Sequence, residues 1–268
     1  WGVAVVVLAS LWLGSVRSFA AEAPPPAASA FGRVPAMESV ALSPNGQLIA
    51  WVENSGAQSI IQVLDLAKGA QVRRVDVPGN LKVHGLDWAD DEILLIHDLV
   101  RPTYGAIESP VYEWLRTAAM EVATGKSRPL LVKSANRFHV PAARLLALHP
   151  SKPRTVIMSS WTFAGLRPGG ESVRRGNNFS QGHDLYEVDT LTGEDKVTHW
   201  GTEFTNDWVV DAGGQAVARS EWFAKRKLYT VLHRRASGWV EIFRLENGEK
   251  PELLGSTRDG SAVLMAAT

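Results

Sequence analysis

Residues 40–76 read VALSPNGQLIAWVENSGAQSIIQVLDLAKGAQVRRVD, and this stretch decides how the rest of the chain is read. Ser43-Pro44-Asn45-Gly46 predicts a β-turn. Pro44 fixes φ at the second turn position, Asn45 tolerates the third, and Gly46 frees the exit. Residues 48–52 are then almost continuously apolar, as a strand covered on both faces must be. Residues 60–66 repeat that character, and Asp65-Leu66-Ala67-Lys68-Gly69 turns the chain. Residues 71–77 alternate, Val75 and Val77 against Arg74 and Asp76, which suits an outer, half-exposed strand.

The outline recurs. A second copy begins near Val83, turns at Ala89-Asp90-Asp91, takes 92–97 (EILLIH) as its inner strand and ends 114–122 in Glu121-Val122-Ala123-Thr124-Gly125, with 128–132 following. Segment 112–119 has some helical spacing but fits the second strand of this copy as well. A third copy runs through 145–148, the turn His149-Pro150-Ser151-Lys152, 155–159, and 184–188 before Asp189-Thr190-Leu191-Thr192-Gly193. A fourth has 208–210, the turn Asp211-Ala212-Gly213-Gly214, then 215–219, 228–233 and 240–245. Thr257-Arg258-Asp259-Gly260 and 262–265 open a fifth. One acidic residue four places before a glycine is an ordinary hairpin turn; three, at 65/69, 121/125 and 189/193, in step with matching upstream turns, specify a repeat. The expected fold is all-β: a β-propeller with blades at 38–80, 83–135, 143–200 and 205–248 and the start of a fifth from 252. Propellers usually carry about four to eight blades, so this is expected to be an incomplete ring, a fragment cut in mid-blade. A two-sheet sandwich or another all-β meander is the alternative.

Composition narrows the setting. The 268 residues carry 28 basic and 28 acidic side chains, so no bulk attraction to nucleic acid or anionic membrane is expected. Ten Trp suit stacked sheets that need large apolar plugs. Cysteine is absent, which excludes disulfides and thiolate metal sites. Residues 3–13 (VAVVVLASLWL) are short for a spanning helix, which needs roughly 20 residues, and precede Ser18-Phe19-Ala20. A secretory signal over 1–20, truncated at its start and cleaved after Ala20, fits better than an uncleaved anchor. Residues 21–30, AEAPPPAASA, read as a Pro/Ala linker, and 31–268 as the partial propeller. Export to a periplasm or beyond is expected, with no membrane attachment after cleavage.

The SPNG turn followed by LIAWV, and DTLTG after LYEV, resemble repeats of the TolB-like and WD40-like propellers of bacterial exported proteins. A leader, a proline linker and then FGRVPAMESVALSPNGQLIAWV resemble the amino-terminal region of bacterial serine peptidases of the prolyl oligopeptidase (S9) family, the dipeptidyl-aminopeptidase and acylaminoacyl-peptidase-like members included. The similarity spans 31–268, strongest at 31–66 and 184–193. Asn45 stands where the repeat more often has Asp, and a long polar stretch interrupts blade three. The resemblance implies a propeller capping a carboxy-terminal α/β-hydrolase domain that carries the catalytic Ser, Asp and His, so that only short or unstructured peptides gain access. None of those three residues maps onto this chain.

The residues themselves offer no catalytic constellation. The sequence contains no Gly-x-Ser-x-Gly turn, no phosphate loop and no His-Glu-x-x-His. The histidines at 84, 97, 139, 149, 183, 199 and 233 lack ligand spacing, and Asp90-Asp91-Glu92 reads as a solvated turn rather than a cation site. Asn178-Phe179-Ser180 matches a glycosylation sequon, of little meaning in a bacterium. No catalytic, cofactor or metal residues are assigned, and no cofactor is expected. Two insertions, 99–110 (LVRPTYGAIESP) and 163–182 (FAGLRPGGESVRRGNNFSQG), lie between strands of one blade each and are expected on one rim. Arg174 and Arg175 could hold a peptide carboxylate or pair with an acidic patch on a hydrolase domain, and Arg101 and Tyr104 could line a mouth. The plainer reading is a solvated loop. The leading function is therefore a non-catalytic propeller gating peptides for a hydrolase domain. Its rivals are a TolB-like periplasmic binding scaffold, and a propeller enzyme such as a lyase or glycosidase, which would need clustered carboxylates or His near the channel. Mass spectrometry of the protein recovered after export should give Ala21 as the first residue; a mature chain retaining residues 3–13 would establish an anchor instead.

Overall fold

The computed structural model describes residues 35–268 apart from 56–57, 80, 101–102, 105–106, 109–113, 136–142, 164–180 and 267–268. The expected leader (1–20) and linker (21–30) thus lie outside the described residues. The first sheet is formed by β1 (Met37–Leu42), β2 (Leu48–Ser55), β3 (Gln58–Asp65) and β4 (Ala70–Asp76), paired antiparallel in chain order. The second contains β5 (Lys82–Trp88), β6 (Ile93–Val100), β9 (Trp114–Glu121) and β10 (Ser127–Pro129), while β7 (Thr103–Tyr104) and β8 (Ile107–Glu108) make a separate hairpin within the 99–110 insertion. The third has β11 (Ala143–Leu148), β12 (Thr155–Phe163), β13 (Gln181–Asp189) and β14 (Asp195–His199). The fourth has β15 (Thr205–Val210), β16 (Ala216–Phe223), β17 (Leu228–Arg235) and β18 (Gly238–Glu246). β19 (Glu252–Ser256) and β20 (Val263–Ala266) begin a fifth. This is a β-propeller of four blades and the start of another, and among the described residues no pairing joins the last sheet to the first, so the ring is open.

Each apolar cluster lies between successive sheets. Val52, Ile61 and Val63 of the first blade meet Leu86, Leu94 and Met120 of the second. The opposite face of that second blade, with Ile93, Leu95 and Ala119, meets Val156, Met158 and Tyr186 of the third. Ile157 and Leu185 then face Trp208 and Ala216, and Ala218, Tyr229 and Val231 face Leu253 of the fifth. Side chains that alternate along a strand serve the blades on either side, which is why the middle strands read as continuous apolar runs.

The first strands lie side by side, β1 against β5, β11 against β15 and β15 against β19. Three sequence expectations change accordingly. Segment 92–97 is not the inner strand: β6 is second in its sheet, with β5 on the inner side. An inner strand faces the channel and alternates, whereas a middle strand such as β6 buries apolar side chains on both faces, Ile93 and Leu95 on one and Leu94 on the other. Of segment 112–119, residues 114–119 lie in the third strand, β9, rather than the second, and 112–113 lie outside the described residues. Strand character expected to Val132 stops at Pro129, where the ring nitrogen has no donor, and Leu131 with φ 60° turns the chain into α1 (Val132–Ala135).

The repeated turns are built alike. Ser43 Oγ donates to Asn45 Oδ1 and accepts from Leu48 N, while Gly46 N donates to Ser43 O at 2.8 Å. Thr257, Asp259 and Gly260 repeat this, and Asp211 Oδ1 accepts from Gly213 N and Gln215 N. In the third blade His149 Nδ1 takes the capping role, accepting from Ser151 N and Lys152 N. On the other hairpins Asp65 and Asp189 each accept from two following amides, and Gly69, Gly125 and Gly193 have φ of 59°, 74° and 75°. A Cβ on Gly193 would lie 2.4 Å from Pro129 O, whereas one on Gly69 meets nothing within 4 Å. Gly69→Ala should therefore cost only the backbone strain, about 1–2 kcal/mol. Gly193→Ala should lose about 3 kcal/mol or more, since the blade-two end must also shift. Urea denaturation of the two variants checks the order.

Candidate binding rim

Strand direction alternates through each sheet, so connections from second to third strand share a rim with the links between blades. Both insertions leave from second-to-third connections, β6 to β9 and β12 to β13. Tyr104 lies in β7 within the first insertion, and of it only the backbone strand is described. Arg101, Arg174 and Arg175 lie outside the described residues.

A cavity of about 500 Å³ lies at this rim, lined by the end of β4 and its link to β5, by β6, β9 and β10, and by Met158 of the third blade. Its walls include Ile61, Val75, Ile96 and Ala118, and one ion pair: Asp98 and Arg116, register partners on β6 and β9. Arg116 Nε donates to Asp98 Oδ1 at 3.3 Å and Nη2 donates to Oδ2. Asp98 is 6% exposed. A carboxylate so buried needs its guanidinium, and removing either would leave an uncompensated charge. Neither residue was singled out from the sequence; a charged residue inside the apolar run 93–100 was the available signal, since its strand partner cannot be read locally.

On the opposite face of the same strands, His97 Nε2 donates to Asp87 Oδ2 at 3.0 Å and Nδ1 accepts from Thr117 Oγ1 at 2.9 Å, the tautomer following from the acceptor-only carboxylate. The order hydroxyl, imidazole, carboxylate resembles a nucleophilic relay. Thr117 and His97 are 4% and 7% exposed, however, and the network serves to tie three strands of the second blade together. The acidic turn is likewise structural. Asp90 Oδ1 caps Glu92 N and Ile93 N, Asp91 accepts from Asn45 N of the first blade, and Arg154 of the third pairs with Asp90 and Glu92. It is a latch across three blades rather than a merely solvated turn.

Further along the rim, Trp161 stacks on its strand partner His183 with ring centroids 4.8 Å apart. His183 Nδ1 donates to Asn206 O at 3.1 Å, and Trp208 Nε1 donates to His183 O at 2.8 Å. A Cβ on Gly201 would fall 2.0 Å from His183 O, so only glycine fits beside this carbonyl. Burial pushes His183 down to about 4, against the opposite pull of Asp207. Among the described residues no group of acidic and histidine side chains has metal-binding geometry.

No protein-family model and no curated protein matches the sequence. Solved structures with a similar fold include TolB from Acinetobacter baumannii (16% identity over 80% of this chain and 45% of that one, TM-score 0.41). They also include the β-propeller domain of the trilobed protease from Pyrococcus furiosus (14%, 77% and 56%, 0.43). A third is the acylaminoacyl peptidase of Pyrococcus horikoshii (10%, 85% and 35%, 0.45). The chain thus spans about half or less of the first of these, TolB. Peptidase propellers and TolB stand side by side in this set, and at these identities neither lends a residue or an activity to this chain.

The histidine yields a pH dependence with a definite sign. Below about 6.5 the unfolded chain protonates this ring while the folded one resists until about 4, so the unfolded state binds more protons in that window. The His183 contribution should be constant above about 6.5 and fall as pH drops toward 4. Chemical denaturation from pH 7.5 to 4 should show a shallower loss in His183→Gln than in the parent protein.

Proposed function

We propose that this chain is the non-catalytic propeller portion of an exported serine peptidase, gating peptide access to a carboxy-terminal α/β-hydrolase domain of the parent protein. The observation that supports the reading is the placement of both long insertions on second-to-third connections of adjacent blades, hence on one rim, together with the cavity. A rigid stack of sheets that spends its longest loops on a single rim is organised for recognition there. In this reading the sheets exclude folded chains by bulk, Arg101, Arg174 and Arg175 offer guanidinium forks to peptide or domain carboxylates, and Tyr104 lines the entrance. Bond cleavage belongs to the Ser, Asp and His of the hydrolase domain. Among the described residues no helix is long and apolar enough to cross a membrane, and the periplasm or the exterior is the proposed location.

The reading is tested by the coding sequence downstream of Thr268 and by activity. Further blades followed by a Gly-x-Ser-x-Gly turn, with Asp and His beyond it, are expected. A stop soon after ring closure would overturn the peptidase reading in favour of a TolB-like binding scaffold. The pure 268-residue chain should not hydrolyse chromogenic peptides, and turnover by it would place catalysis in the propeller.

A further inference from the structure

We propose that the cavity beside Asp98 and Arg116 binds a compact, uncharged, apolar molecule carrying one carbonyl oxygen. A volume of about 500 Å³ falls in the range of small-molecule sites, and its walls are mostly hydrocarbon. The polar feature that would orient a guest is Arg116. Its Nε and Nη2 are committed to Asp98, and among the described residues Nη1 makes no hydrogen bond. The guanidinium is also the accessible member of the pair: its side chain is 35% exposed against 8% for Asp98.

Charge selects the class of guest. The pair is already neutral, and among the described residues the two other charged ones in the lining, Asp76 and Arg128, cancel as well. An anion would bring excess negative charge beside a buried carboxylate, and a cation would meet the guanidinium. A carbonyl accepts the spare N–H without adding charge, as a hydrogen bond to a charged donor. The backbone supports a built site. Leu131, which lines the cavity, is 1% exposed and holds φ at 60°, a conformation costing about 1–2 kcal/mol for a residue with a Cβ. Such strain persists where the surroundings over-determine it, and functional sites are a common setting. The site belongs to the propeller itself and does not depend on the presence of a hydrolase domain.

Fluorescence titration of the full chain tests this with three naphthalene probes: the neutral ketone prodan, neutral N-phenylnaphthylamine without a carbonyl, and the anionic anilinonaphthalene sulfonate. Prodan should bind saturably at one site with a blue shift, about tenfold tighter than the sulfonate. Ala118→Leu, which fills the cavity without touching a charge, should weaken both neutral probes. The pair change Arg116→Met with Asp98→Leu, which leaves no orphan charge, should weaken prodan about tenfold and spare N-phenylnaphthylamine. Absence of saturable prodan binding, tighter binding of the sulfonate, or unchanged prodan affinity in folded Ala118→Leu would each overturn the proposal. The probe comparison on the unaltered chain stands even if a variant fails to fold.

Discussion

A four-stranded antiparallel sheet has two faces, and in this chain the middle strands bury apolar side chains on both. One blade alone cannot bury both faces, so each packs on a neighbour, and the second, third and fourth lie between two. The strand alternation makes the accounting visible in the second blade: Leu94 and Met120 pack toward the first blade, Ile93, Leu95 and Ala119 toward the third. At about 25 cal/mol per Å² of apolar surface removed from water, this repeated face-to-face burial is the main force holding the stack. Polar contacts then fix the angle between blades. Arg73 of the first blade donates to Val122 O and Ala123 O on the second, and Trp88 Nε1 reaches Ala41 O of the first at 3.2 Å. On the next boundary Arg154 pairs with Asp90 and Glu92, and Lys133 N donates to Asp195 Oδ1 at 2.9 Å.

The same constraint explains where function can reside. Strand interiors are committed to burial, and tight turns are committed to their own caps. What is left is the rim from which two connections have grown long, and any place where a blade falls short of its neighbours. The second blade does so at its outer edge. β10 has only three residues and pairs with 118–120, Leu130 N adds one bond to Thr117 O, and among the described residues no strand pairs with 114–116 on that side. Arg116 lies in that stretch and Asp98 is its partner on β6, where a charged pair can be sheltered without displacing the apolar contacts below.

The hydrogen-bonded Asp87–His97–Thr117 series and the Arg219 guanidinium, which lies 4.9 Å from the Trp239 ring and 3.0 Å from Glu221, show how this fold treats polar groups it must bury. The first is satisfied across three strands, whereas Arg219 pairs with Glu221 of its own strand, β16, and reaches another strand only at the Trp239 ring of β18. They tie strands together within a blade, the second for Asp87, His97 and Thr117 and the fourth for Arg219, Glu221 and Trp239.

The repeat was legible in the sequence because its signals are local. Ser43-Pro44-Asn45-Gly46 and Asp189-Thr190-Leu191-Thr192-Gly193 set backbone angles through prolines, glycines and short capping side chains that act within five residues, and the apolar runs between them announce strands covered on both faces. Strand order within a blade was less legible. The run 92–97 is more apolar than its neighbours, which marks a middle strand rather than an inner one, because the inner strand is half-turned to the channel. The candidate site was hardly legible at all. Asp98 meets Arg116 across the 99–110 insertion, Leu131 joins them from the far end of the same blade, and Met158 reaches the cavity from the third blade. The sequence by itself determined turns, strands and their repetition, since these follow from interactions between near neighbours in the chain. Only the tertiary structure decided which charges are paired, which histidines are buried and where space remains, since these depend on residues brought together by packing between blades.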